Sequence, residues 1–226
     1  MQEAIARASD QGIETVAAAG NYNVPLGYKH HAPVCAPSAF AVAAINNEQQ
    51  KATYSNYNPS RSSDSSTAFI NLAAPGGSAE NPLVSSYGNG PYVSSSYGTS
   101  MAAALVTSIY ALMLANHSEL QKVSGQQRVS KMRQLLYSSS TPSNSYNIGL
   151  GNLNAYNAVL AKNLRPVVNI HSLNLIATNA HSYQMQICLK NVGAVALEHA
   201  EVILSLADVA YSQVLKTLPA PKKRSQ

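Results

Sequence analysis

The sequence predicts an α/β domain with helices packed on a parallel sheet, followed by a shorter antiparallel β module. Three observations carry that expectation. Residues 1–163 interleave helical spacing with short apolar strand patterns, as helix-covered sheets do. Ser100 to Asn116 is apolar nearly all round, the pattern of a buried helix. After Arg165-Pro166 the period falls to two, the mark of half-buried strands.

Ala4, Ile5 and Ala8 at helical spacing open the chain as a helix, which Gly12 ends. Ile13 to Ala19 reads as a short strand stopping at Gly20-Asn21. Beyond a stretch rich in Tyr, His and Pro come strand candidates at Ala39 to Ile45, Ala52 to Asn56, Ile70 to Ala73 and Tyr92 to Ser96. Turn-forming Asn58-Pro59, Pro75-Gly76-Gly77 and Gly88-Asn89-Gly90 part them. After the long apolar helix, Gly125 to Tyr137 is amphipathic, with Ser124 as N-cap and Val129, Met132 and Leu136 along one face. A last helix follows Gly149-Leu150-Gly151, capped by Asn154, with Ala155, Ala158 and Val159 inward.

In the tail, Tyr183, Met185, Ile187 and Leu189 alternate with Gln184, Gln186, Cys188 and Lys190. Val167 to Ile176 and Val202 to Leu206 behave similarly. Residues 164–226 number only about 60, short of the roughly 100 of a β-sandwich, so they read as a partial β-sandwich-like accessory module.

Composition removes several function classes. The chain has 226 residues, 46% of them hydrophobic, enough to bury a core. Charged residues are 11%, less than half the roughly 25% of soluble domains, which excludes coiled coils and charge-rich disorder. The net charge of +5 raises a nucleic-acid partner. However, Lys222, Lys223 and Arg224 cluster at the C-terminus, and Ser62 to Ser118 holds no Lys or Arg and only Asp64 and Glu80 as acids. A phosphate-tracking surface needs clustered cations, so no nucleic acid is expected.

Cys35 and Cys188 fit neither a disulfide framework nor a metal spacing; a bridge between them and two separate buried thiols both stay open. Met101 to Ala115 is shorter than the roughly 20 residues of a membrane span and contains Thr107 and Ser108, so no span is expected. The opening MQEAIARASDQ lacks an apolar signal region, which leaves a cytosolic chain or one whose beginning is missing.

Two motifs bear on chemistry. Tyr97-Gly98-Thr99-Ser100-Met101-Ala102-Ala103 sets a Ser hydroxyl at the start of a small-residue helix, where free N–H groups and the dipole favour negative charge. Alone, the motif implies no more than Thr99 or Ser100 as an N-cap. Ala17-Ala18-Ala19-Gly20-Asn21 sets an Asn amide beyond a buried strand, a neutral donor suited to an oxyanion. Alone, it is a Gly-Asn turn.

Together and in this order, with Ala73-Ala74-Pro75-Gly76 between them, the motifs resemble the subtilisin-like serine proteases, the subtilases. Further matches are AFAVAAI at Ala39 to Ile45, ATYSNY at Ala52 to Tyr57, NLAAPG at Asn71 to Gly76, GTSMAA at Gly98 to Ala103 and GLGNLNA at Gly149 to Ala155. The resemblance covers residues 1–163 and implies the C-terminal half of a catalytic domain. It implies Ser100 as nucleophile, with Asn21 and the Ser100 N–H as oxyanion donors in an acyl-enzyme mechanism, roles for which subtilisin is itself a standard worked example. Ala18, Ala19 and Gly20 would wall the substrate pocket. No cofactor is identified, and structural calcium enters through the resemblance alone.

Two departures stand out. Ala104 occupies the family's Pro position in the helix, where either residue suits a first turn. No segment before Ser100 resembles those of the family's Asp and His, which precede the Ser in chain order. His30 and His31 follow Asn21 and lack a Gly-Thr partner, while Asp10 and Asp64 read as surface acids. Without a base Ser100 is a weak nucleophile. Asn116-His117-Ser118 fits a glycosylation sequon, and His171, His181 and His199 share no metal spacing.

The expectation is therefore a secreted serine endopeptidase acting on proteins or peptides, truncated and inactive alone, lacking the N-terminal half with its signal, Asp and His. Met1 falling inside a family helix accords with truncation. The alternatives are a non-catalytic binding module that reuses a subtilase half, and an extracellular structural protein that would not bring Asn21 near Ser100.

Overall fold

Seven consecutive buried residues, Ala39–Ile45, form the middle strand of a sheet. In the computed structural model, which describes residues 1–27, 32–59, 69–86, 93–143, 145–179, 182–206 and 209–218, this strand is β2. It runs parallel to β1 (Thr15–Ala18) on one side and β3 (Ile70–Pro75) on the other. Phe40, Val42 and Ala44 point to one core and Ala39, Ala41, Ala43 and Ile45 to a second. A strand covered on both faces reads as a continuous apolar run, as parallel strands do.

Helix α1 (Gln2–Asp10) precedes β1 and adds Ile5 to the second core, beside Leu26, Val34, Cys35 and Ile148. Residues 52–56 do not form the expected strand. They turn back on themselves, because Ser55 and Asn56 are buried and bond backbone groups in place of a ladder. A small antiparallel pair, β4 (Leu83–Ser85) and β5 (Val93–Ser96), precedes the long helix.

That helix, α2 (Thr99–Asn116), lays Ala102, Val106, Ile109, Tyr110 and Met113 on the sheet. The described residues cover only this face: Leu105 and Leu112 on the other are 38% and 48% exposed. The expectation of burial all round is corrected accordingly. By length and composition alone α2 also meets the measure of a membrane span, and its packed face belongs to the core.

After a single turn, α3 (Ser118–Gln121), helix α4 (Gly125–Ser139) buries Val129, Met132, Leu136 and Tyr137. Ser124 is the N-cap residue of α4 as expected, although its side chain makes no cap hydrogen bond. Asn154 does cap α5 (Ala155–Leu160), accepting from the Asn157 N–H at 3.0 Å. Ala158 faces inward as expected, and Ala155 is exposed.

Beneath the sheet lies a charged support. Arg133 donates from Nε and Nη2 to the two Glu14 oxygens at 2.6 Å each, and from Nη2 to the Ser38 carbonyl at 2.9 Å. Its guanidinium covers the Phe40 ring, which also stacks on Tyr137 and meets Tyr110 edge-on. Burial raises the Glu14 carboxyl above its ordinary range, with Arg133 opposing.

The tail forms two antiparallel hairpins: β6 (Val168–Asn179) with β7 (Ser182–Asn191), and β8 (Leu197–Leu206) with β9 (Val209–Leu218). Strand β9 was not anticipated. Gln186, Cys188 and Lys190 are exposed and Ile187 and Leu189 half-buried, following the period-two reading. The Ala194 N–H donates to Ser138 Oγ at 2.6 Å, and Arg165 Nε donates to the Ser140 carbonyl at 2.9 Å, tying the join to the end of α4. Both cysteines are free, Cys35 buried and Cys188 exposed, so the bridge left open by the sequence is absent. His30, His31, Asp64, His181, Tyr92, the Gly88-Asn89-Gly90 turn and the basic run Lys222, Lys223 and Arg224 lie outside the described residues.

Candidate active site

The parallel sheet delivers the end of β1 to the start of α2, because α2 packs across all three strands. Asn21, two residues beyond the Ala19 that ends the apolar run, therefore meets the Gly98-Thr99-Ser100 segment. Asn21 Oδ1 accepts from the Thr99 N–H at 2.9 Å and from the Thr99 hydroxyl at 2.8 Å. The same hydroxyl oxygen accepts from the Gly20 N–H at 3.0 Å. With Oδ1 engaged twice, Asn21 Nδ2 is left with no acceptor among the described residues.

Gly98 enters the helix at φ 150°, and a Cβ there would lie 3.0 Å from Asn21 Nδ2. Glycine is required both by the conformation and by the amide beside it. The N-cap of α2 is Gly98, without a side-chain cap bond, so neither Thr99 nor Ser100 is the cap. Thr99, 1% exposed, spends its hydroxyl on the Asn21 loop. Ser100, exposed on the first turn, keeps its hydroxyl unbonded among the described residues. Its N–H is one of the helix's orphan donors. An oxygen arriving here meets the helix's positive end.

Tyr54 lies nearby, donating to the Gly77 carbonyl at 2.9 Å with its ring 5.4 Å from that of exposed Tyr97. Burial pushes its hydroxyl up to about 12, with a backbone hydrogen bond from Gly98 opposing the rise. Of the proposed pocket wall, Ala19 is buried in the second core, whereas Ala18 and Gly20 are half-buried.

The remaining titratable candidates lie elsewhere. Asp10 accepts from Gln126 on α4. His117 closes α2 and bonds the Ala158 carbonyl at 3.0 Å; seventeen residues along a helix put it about 25 Å from Ser100. No described residue is seen to act as a base toward Ser100. Asn116 is exposed and donates to the Leu112 carbonyl. His171 and His199 fall on β6 and β8. Among the described residues no three His, Cys, Asp or Glu side chains converge as a metal site. The oxygens of Asn23, Ala52 and Ser55 do converge, and the Lys51 ammonium fills that cage. Calcium does not fit there, because an ammonium already donates to those oxygens.

The model of the subtilase family matches residues 1–165, nearly three quarters of the chain. The chain belongs to the subtilase family. Over 124 residues it is 32% identical to Alkaline protease 1 of Aspergillus flavus, a match covering 54% of this chain and 27% of that protein. A protease of Pseudoalteromonas arctica PAMC 21717 superposes with a TM-score of 0.56 at 27% identity, over 71% of this chain and 46% of that one. A lanthipeptide protease shares the fold, with a TM-score of 0.57 at 22% identity, over 71% and 54% of the two chains. This subtilase chain thus spans about half the length of the solved relatives and about a quarter of the curated one.

Two groups at this site escaped sequence reasoning. Thr99 resembled a cap, and its bridge to Asn21 joins residues 78 apart. Asn56 resembled a strand end, and its burial against residues 19–24 is legible only in three dimensions.

Proposed function

We propose that this chain supplies the nucleophile and oxyanion donors of a secreted serine endopeptidase. Ser100 Oγ attacks a peptide carbonyl, and Asn21 Nδ2 with the Ser100 N–H receives the developing oxyanion. The amine leaves, and water hydrolyses the acyl-enzyme. The observation that supports this reading is the double acceptance by Asn21 Oδ1 from Thr99, the neighbour of Ser100, which leaves the Asn21 Nδ2 beside Gly98 without an acceptor among the described residues. An extracellular structural protein would have no reason to couple these residues.

The base and its orienting acid come from polypeptide outside residues 1–226, and residues 164–226 form an accessory module. Two features support a further segment. Helix α2 leaves Leu105 and Leu112 uncovered, and β1 pairs along one edge only among the described residues. Without that base, activity is lost by several powers of ten; losing triad members in subtilisin costs on the order of 10⁶.

The test is peptide hydrolysis by the 226-residue chain alone and after mixing with a subtilase N-terminal segment bearing the Asp and His. The expected result is no turnover alone, turnover on mixing, and its abolition by Ser100→Ala. Turnover by the isolated chain would overturn the split site. Failure on mixing, with binding of the segment demonstrated, would favour a non-catalytic binding module.

A further inference from the structure

The segment carrying Asn21 is irregular backbone, yet nearly every residue around Asn21 is tied to the turn at 51–57. Asn56, fully buried, accepts at Oδ1 from the Tyr22 N–H at 3.1 Å and the Val24 N–H at 3.2 Å. Its Nδ2 donates to the Ala19 carbonyl at 2.9 Å, and its backbone N–H donates to the Gly20 carbonyl at 2.9 Å. One side chain thus satisfies polar groups on both sides of Asn21. A Cβ at Gly20, whose φ is +100°, would stand 2.6 Å from Asn56 Nδ2, so the fit excludes any larger residue.

Lys51 makes the second tie. Its ammonium donates to Asn23 Oδ1 at 2.8 Å and to the Ala52 and Ser55 carbonyls at 3.2 Å each. It also sits 5.3 Å from the Tyr57 ring centroid. Asn23 holds a left-handed φ of 53°, and its N–H donates to the Tyr54 carbonyl at 2.8 Å. A non-glycine residue keeps such a conformation when its surroundings over-determine it.

We propose that Asn56, with Lys51 beside it, is a positioning residue: it clamps residues 19–24 so that the Asn21 amide stays aimed at the start of α2. The proposal rests on Asn21 as oxyanion donor. Neither Asn56 nor Lys51 touches the reacting atoms.

The test is nitrogen-15 NMR of the 226-residue chain, reading backbone amide exchange and the Asn21 side-chain amide. Asn56→Ala is expected to speed exchange at Tyr22 and Val24 by about 100-fold, since both lose a buried acceptor, while Ala41 to Ala44 stay protected. Lys51→Met, at a half-buried position, is expected to speed exchange locally by about 10-fold and to shift the Asn21 amide. Asn56→Asp retains the acceptor and is expected to keep Tyr22 and Val24 protected while losing the tie to Ala19.

Wild-type exchange at Tyr22 and Val24 in Asn56→Ala, or wild-type exchange with an unmoved Asn21 amide in Lys51→Met, would overturn the clamp. So would loosening that spreads equally to β2, the mark of general destabilisation. In the mixed peptidase, Lys51→Met is expected to lower kcat with KM little changed. A mixture inactive even as wild type would count against the peptidase reading, while the exchange data would still decide the clamp.

Discussion

The two faces of α2 are almost equally apolar in sequence and very unequally covered in the structure. One seats Ala102, Val106, Ile109, Tyr110 and Met113 against the sheet. The other shows Ala104, Leu105, Ala111, Leu112 and Ala115 to solvent, and Thr107 and Ser108 there bond back to carbonyls four residues earlier. Polar groups satisfied within the helix leave a face ready to be covered. The difference teaches that apolarity all round records everything a helix is built to touch, not only what one stretch of chain provides.

The comparison breaks first at its foundation. Glu14→Ala would strand Arg133 beneath Phe40, and removing one partner of a buried pair costs about 3–5 kcal/mol. Since the Arg133 side chain is 21% exposed, the loss should fall at the low end, read as a drop in urea midpoint. On the packed face, Met113→Ala should cost about 2–4 kcal/mol, the range for a fully buried side chain. Loss below about 1 kcal/mol would show that this face is not core.

A pH experiment sharpens the edge between the faces. Burial raises Tyr54 to about 12, so the folded state holds this proton more tightly than the unfolded chain, which releases it near 10. The contribution is fully present below pH 10 and is lost as pH rises through about 12. Urea melts from pH 9 to 12 should fall more steeply in the wild type than in Tyr54→Phe. The smallest effect belongs to the open face: Leu112→Ser should stay within about 0.5 kcal/mol. A large loss there would mean that the face is already covered.

Strand β2 was legible to the residue because a strand buried on both sides is simply an apolar run; α2 was legible as an apolar run too, although only one of its faces is covered. Asn154 was found as a cap because capping is local. Residues 52–56 misled because the alternation of ATYSN mimics a strand, while the burial of Ser55 and Asn56 depends on residues 44 and 19–24. The Glu14–Arg133 pair spans 119 positions and has no local signature. Strand β9, with Gln213 and Lys216 among its apolar residues, offers weaker alternation than β7. Ser100 and Asn21 were singled out by motif order, whereas the Thr99 bridge between them required the fold.

The most direct test of a split active site is covalent labelling with a fluorophosphonate, which reports an activated serine without requiring substrate turnover. Mass spectrometry of the 226-residue chain alone should show no adduct. With the Asp- and His-bearing segment bound, a single adduct on Ser100 is the expected result. Rapid labelling of Ser100 in the isolated chain, or an adduct on a different serine in the complex, would contradict the account.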